Sequence, residues 1–347
     1  MSGKRQHFIP RFLKKGFRSH TERGQDFTWV FRKESKPFNP NITNIGLETH
    51  FYTDINDTQL DEKITDAEYE YSKLIDDLRN SRNGMVANDL IPEFIAHMEV
   101  RTRHFRINFL QMSEDLVDLM ISYLSEGDTF FEYAFNSIKD SNSLMHNEFV
   151  QEFINAGESK EQIEKGIKKD PEMLMILLKV LLPSSNSIHG FLKNIFPRER
   201  LSDVIKQSHI NSLKKSIAPK VRINYYNEFD YHVKEFPPKN LILGDSPVLF
   251  KVNKENPYST FTDKDTEILA IFLPLCNDKL LVGMRNEVIN IDNKLPKIIA
   301  KTSMEYFISI DNSEENRLLQ KMIGENARLV SHDEIENLVK ETFVMSN

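Results

Sequence analysis

Gln6, His7 and Pro10, followed by Arg11, Phe12, Leu13, Lys14, Lys15 and Phe17, put a titratable imidazole beside a run of cations within one short stretch. Histidine changes charge near neutral pH and serves as acid, base or hydrogen-bond donor. Cations next to it suit an anion such as a phosphate. Pro10 has the pre-set φ of a first helical position, so Gln6 and His7 fall just outside a helix start. On that helix His7, Arg11, Lys14, Lys15 and Arg18 cluster near one face, while Phe8 or Ile9, Phe12, Leu13 and Phe17 supply the buried one. The plainer account is a solvated basic face with His7 as a cap or core-satisfying residue.

Three further groups carry polar chemistry. A helix after Thr58 holds Asp61, Glu62, Glu68 and Glu70, whose carboxylates suit a divalent metal or an activated water, although Glu62 and Glu68 are six apart and stand off around the helix. Glu93, His97, Arg101 and His104 recur at spacings of four, four and three, which lays them along one stripe. Inside the protein such a stripe needs partners, for which Glu62 and Asp245 are the candidates; beside the apolar Phe94, Ile95, Met98, Phe105 and Phe109 it equally suits the edge of a core. Asp245, in Gly244-Asp245-Ser246-Pro247, is placed to bind metal, orient a histidine or hold a hydroxyl, and turn chemistry alone also accounts for it.

The elements that must position these residues follow from patterning. Phe27 to Lys33 is aromatic and β-branched, and with His50 to Thr53 it is expected to form a small sheet under the first helix. From Leu60 to about Leu213 the spacing is helical. Ile64, Ala67, Tyr71, Leu74, Ile75 and Leu78 make one apolar stripe, Ile91 to Leu124 reads as one helix or two broken near Ser113, and Met173 to Leu182 as a buried helix. Alternation returns at Val221 to Tyr226, at Leu241 to Leu243 and at Val248 to Val252. Ile268 to Leu273 and Lys279 to Met284 read as strands joined at Asn277-Asp278. Helices follow around Leu295 to Ile308, Glu314 to Ile323 and His332 to Val344. The expected class is α+β: a predominantly helical middle, a small N-terminal β element, and a C-terminal antiparallel or mixed sheet flanked by helices. The expected regions are 1–58, 59–217 and 218–347, packed as one or two lobes.

Composition excludes several classes. The 347 residues are 39% hydrophobic with a formal charge of −7, so nucleic acid would be met by the local basic segment rather than by the whole surface. Cys276 is the single cysteine, which rules out an intrachain disulfide or a thiolate zinc cluster and suits a reducing cytoplasm. No apolar run reaches bilayer length, and no membrane partner is expected. His-Glu-x-x-His, the P-loop, Gly-x-Gly-x-x-Gly and Gly-x-Ser-x-Gly are all missing, which removes zincin, P-loop NTPase, Rossmann and α/β-hydrolase readings.

Gln6-His7-x-x-Pro10 with Arg11-Phe12-Leu13 and Phe17, then the aromatic strand, Thr49-His50-Phe51-Tyr52, Glu62 and Glu68, and finally Gly244-Asp245-Ser246-Pro247-Val248, resemble the prokaryotic family called domain of unknown function 4238. The likeness runs from Gln6 to about Ile308. It implies that His7, Pro10, Tyr52, Glu62, Glu68, Asp245 and Pro247 serve one shared site, with Arg101 where members carry a basic residue. Gly244 departs from the Ser or Thr more usual there. The leading expectation is a metal-dependent phosphodiesterase or nuclease, set in bacterial antiviral defence or acting as a toxin. His7, Glu62 and Asp245 would be catalytic, Gln6, Arg11, Lys14, Arg101 and His97 would bind substrate, and Glu62, Glu68 and Asp245 would hold Mg²⁺ or Mn²⁺. The alternative is a non-catalytic sensor or adaptor that binds nucleic acid or a partner protein and whose polar cluster is structural.

Overall fold

A computed structural model of the chain describes residues 5–52, 59–126, 128–181, 189–190, 193, 198–263, 265–285, 294–328 and 330–344. The chain divides into two compact units, Met1–Phe109 with Ile205–Leu329, and Leu110–Val204 with Val330–Asn347. The class is α+β.

In chain order the first unit opens with β1 (Arg5–His7), α1 (Arg11–Lys15), β2 (His20–Glu22), β3 (Gln25–Phe27), β4 (Trp29–Arg32), β5 (Leu47–Thr49), α2 (Gln59–Asn80), β6 (Gly84–Val86) and α3 (Leu90–Val100). Helix α4 (Arg103–Leu124) leads into the second unit, with α5 (Thr129–Lys139), α6 (Leu144–Asn155), α7 (Lys160–Lys169) and α8 (Pro171–Leu181). Helix α9 (Arg198–Lys215) returns to the first unit, followed by α10 (Lys220–Tyr226), β7 (Asp230–Glu235), β8 (Leu243–Gly244), β9 (Leu249–Val252), β10 (Tyr258–Ser259), β11 (Ile268–Cys276), β12 (Lys279–Met284), α11 (Leu295–Thr302), β13 (Tyr306–Ser309) and α12 (Glu314–Gln320); α13 (His332–Val344) belongs to the second unit.

The first unit is organised by a six-stranded antiparallel sheet in the order β10-β9-β11-β12-β7-β6. Strand β11 is buried along almost its whole length, as an apolar run covered on both faces must be. Its turn into β12 falls at Asn277-Asp278, and the register shifts between Pro274 and Cys276, where proline withholds a ladder N–H. Helix α2 lies against this core through Leu60, Ile64, Tyr71, Leu74, Ile75 and Leu78. At its end Arg79 donates to the Leu13 carbonyl (2.9 Å) and the Leu275 carbonyl (2.7 Å), tying α1 to β11.

Several elements depart from the sequence expectations. The aromatic strand β4 pairs with β13, and β13 with β8; β1 pairs with β5. The chain leaves β5 through His50 at φ 53, which ends the strand before Phe51 and Tyr52; Thr53 lies outside the described residues. Val221 to Tyr226 is helical because Pro219 starts a turn that sends Ile223 and Tyr226, three apart, to the same side. The break between α3 and α4 is at Arg101-Thr102, not Ser113. The segment after Leu295 is helical only to Thr302 and then turns into β13. Helix α8 is amphipathic rather than wholly buried: Leu174 and Leu178 face the core of the second unit, while Met173, Ile176 and Val180 are exposed. The remaining core of that unit gathers Ile121, Leu124, Phe130, Phe131 and Val339.

Candidate functional site

Strand β1 ends at His7, which is half-buried between two buried neighbours, Gln6 and Phe8. The Gln6 Oε1 accepts the main-chain N–H of Tyr52 at 2.7 Å, and its side chain also bonds the Asp61 carboxylate. This pins the entry of the segment after β5 and the first turn of α2 to the same glutamine. Pro10 then sets α1, and the helix turns so that Lys14, with Leu13 and Phe17, points inward. That corrects the expected solvated face: Arg11 and Lys15 are exposed, whereas Lys14 is wholly buried. Its ammonium donates to the Ile45 carbonyl and lies 3.1 Å from the Nδ1 of His7.

Arg101, at the end of α3, is the buried hub. Its Nε donates to the Tyr52 hydroxyl at 3.0 Å, Nη1 to the Nε2 of His97 at 2.6 Å and to Glu68 at 2.8 Å, and Nη2 to the His7 carbonyl at 2.5 Å. His97 is held from the other side by its Nδ1, 2.9 Å from the Ile217 carbonyl. A ring that accepts from a guanidinium at one nitrogen donates from the other and stays neutral; burial, then the Arg101 charge, hold His97 well below its usual range. Tyr71, 5.2 Å from the His97 ring, donates to Glu93 at 2.8 Å.

The electrostatics follow from burial. Removal from water, then the charge of Lys14, brings His7 down to about 3. Removal from water, then the charge of Arg11, brings Lys14 down to about 7, against the opposing pull of Glu68. Burial, then the charge of Glu68, pushes the Asp61 carboxyl up. Asp61 and Glu68 are seven apart, two turns of α2, and so share a face. The buried floor is therefore Gln6, Lys14, Tyr52, His97 and Arg101, and His7, Asp61 and Glu68 form a partly exposed rim. Near neutral pH such a floor carries positive charge and a lysine able to gain or lose a proton.

Not every expected residue joins this cluster. Glu62 is exposed one position beyond Asp61, and it is Asp61 that bonds Gln6. Asp245 is buried elsewhere in its own bonding set: its two oxygens accept the main-chain N–H groups of Met304 (2.9 Å), Glu305 (2.6 Å) and Tyr306 (3.3 Å), and none of these belongs to the His7–Arg101 cluster. Burial raises the Asp245 carboxyl, against the lowering pull of nearby His104 and of those amides. His104 contacts Ser246 through Nδ1 (3.0 Å) and the Ala327 carbonyl through Nε2 (2.7 Å). The histidine–arginine stripe is thus interior, but it serves two places. Among the described residues, no group of three or more His, Cys, Asp or Glu is placed to hold a metal ion.

A family model, "Protein of unknown function (DUF4238)", matches residues 5–331. The chain belongs to the DUF4238 family. No curated protein and no solved structure matches it. The matched span runs through β1, α1, α2, α3 and β8, so it takes in every residue of the cluster and also Asp245. Two residues of this candidate site were noted in the sequence without a specific catalytic, binding or metal role. Asp61 had a usable signal, the seven-residue spacing to Glu68. Tyr52 was marked only by the family resemblance, and its partner was not legible because its hydroxyl meets Arg101 only through the fold.

Proposed function

We propose that this DUF4238 protein is a phosphodiester hydrolase acting on nucleic acid, with its reaction centre at His7, Lys14, Asp61, Glu68 and Arg101. The observation that carries the reading is the half-exposed His7 in contact with a buried lysine brought down to about 7. Such a pair takes a proton from an attacking water at neutral pH and returns one to a leaving oxygen. Arg101 orients the rim through Glu68, and the exposed Arg11, Lys15 and Arg18 favour approach of a polyanion.

An Mg²⁺ or Mn²⁺ ion belongs to the proposal, since Mg²⁺ is commonly held by one or two carboxylates together with substrate phosphates rather than by an all-protein cage. Glu68 with Asp61 or Glu62 would supply those carboxylates, and the ion would supply charge neutralisation at the phosphate. A cytoplasmic location, and a setting in antiviral defence or as a toxin, go with this proposal. Among the described residues no helix is long and apolar enough to cross a membrane.

One observation favours a second reading, a sensor or adaptor with a structural cluster: four acceptors already engage the Arg101 guanidinium. Incubation of labelled single- and double-stranded DNA and RNA with the protein, with Mg²⁺, Mn²⁺ or chelator, separates the two. Metal-dependent cleavage lost in His7→Ala and Glu68→Gln, with the fold retained, is the expected result; no cleavage of any substrate under any condition sinks the hydrolase reading.

A further inference from the structure

A cavity of about 460 Å³ lies in the first unit between the β1–β5 pair, the β4–β13 ladder and the start of α4. Four charged side chains line it, Arg32 from β4, Glu48 from β5, Arg103 from the first position of α4 and Glu305 from just before β13, with the rings of Phe8 and Tyr306 beside them. No member of the His7–Arg101 cluster lines it.

The charges on this wall fall into two groups of opposite sign. Glu48 meets the Nε of Arg103 at 3.1 Å and Glu305 meets its Nη1, so two carboxylates share one guanidinium and the group keeps one net negative charge. All three side chains reach solvent: Glu48 is 38% exposed, Arg103 34% and Glu305 45%. Each carboxylate accepts more than one hydrogen bond, so both can receive a ligand donor without releasing Arg103. Arg32 supplies the positive group. It is exposed and stands directly across the ladder from Tyr306, and its guanidinium lies 5.9 Å over the Tyr306 ring and 5.6 Å over the Phe38 ring. Since Tyr306 lines the cavity, the guanidinium is held at the cavity wall. Packing over ring faces leaves its N–H groups, which lie in its own plane, for an acceptor. Opposite residues of an antiparallel ladder stand about 4.5–5.5 Å apart, and Glu305 is next to Tyr306 in sequence, so a short ligand spans both groups.

We propose that this cavity binds a small zwitterion, one ammonium and one carboxylate on a short body, with the ammonium on Glu48 and Glu305 and the carboxylate on Arg32. A ligand of single charge matches one group and is repelled by the other, whereas a zwitterion matches both. The volume is that of a small-molecule site. The proposal stands whether or not the His7–Arg101 cluster is catalytic.

The test is calorimetric titration of the full chain with L-glutamine, whose charges share one carbon, and with 5-aminopentanoate, whose charges are separated, beside pentanoate and pentylamine, which keep one charge each. Saturable binding of at least one of the two zwitterions is expected at one per chain, with a Kd of about 1 mM or tighter, and with pentanoate and pentylamine weaker by about tenfold or more, the worth of one charge-assisted contact. Arg32→Gln and Glu305→Gln both alter exposed side chains and should leave the thermal midpoint in place. Each should weaken zwitterion binding about tenfold, Arg32→Gln to the level of pentylamine and Glu305→Gln to that of pentanoate. The proposal is overturned if neither zwitterion binds saturably, if pentanoate or pentylamine binds as tightly as the zwitterions, or if either variant leaves the affinity unchanged.

Discussion

The Lys14 ammonium lies 3.1 Å from the Nδ1 of His7, and both side chains bond the main chain of Ile45. Two bases thus share one buried carbonyl, and the Lys14 charge adds to burial in holding His7 toward its neutral form.

The first consequence is a pH dependence of stability. Lys14 in the folded chain sits at about 7, against an ordinary value of 10.5. Between these values the unfolded chain binds more protons, so the stability contributed by Lys14 is complete above about 10.5 and is lost as pH falls towards 7. Lys14→Met removes the titration. Urea unfolding from pH 7 to 10 should show the wild type gaining stability relative to the variant as pH rises; parallel curves would mean that Lys14 titrates normally.

Arg101 and Glu68 form one ion pair but should not be equally costly to alter. Arg101→Met strips partners from Tyr52, His97, Glu68 and the His7 carbonyl at once, with an expected loss of about 3–5 kcal/mol. Glu68→Gln keeps a hydrogen-bond acceptor at a position where the side chain retains 26% exposure, with an expected loss of about 1 kcal/mol or less. Denaturant midpoints at pH 8 check the ordering, and equal losses would show that Arg101 is not the hub.

Asp245→Asn leaves size unchanged but turns an amide NH₂ toward main-chain donors that now meet a carboxylate. A destabilisation of about 2–4 kcal/mol is expected. Cleavage activity per folded molecule, if the hydrolase reading holds, should survive within a few-fold. A stable but inactive variant would instead put Asp245 in the chemistry.

Gly16 follows α1 with an ordinary helical φ of −65, so it is needed for space rather than for conformation. A Cβ there would stand 2.3 Å from the Leu275 carbonyl oxygen and 2.9 Å from the Cys276 Cα, both backbone atoms. Gly16→Ala must lift α1 off β11, at a cost of about 1–3 kcal/mol. Thermal unfolding of the single variant is sufficient to test this.

Legibility in the sequence followed the range of the forces involved. The α2 stripe and the β11–β12 hairpin were readable because local period and turn residues dictate them. Val221 to Tyr226 misled because two tyrosines and a valine mimic a strand, while the decisive residue, Pro219, lies outside the alternation. The cluster was legible in its members and less so in its geometry. Lys14 reads as one more surface cation until the fold turns it beneath His7, and Asp245 reads as a ligand until three amides from Met304 to Tyr306 arrive at it. Neither is local, and pattern within one segment carries no record of it.

Strand β4, at residues 29–32, has β13, at residues 306–309, as its sheet partner, and β13 also joins β8. The members of the His7–Arg101 cluster lie at or before residue 101, whereas the strand that pairs with β4 is made much later. Synthesis at roughly 5–20 residues per second therefore leaves a nascent N-terminal segment waiting on the order of ten seconds or more for its last partner. During that interval β4 lacks the strand that pairs with it, so its backbone ladder and the stacking of Phe31 on Phe307 form only once β13 has been made.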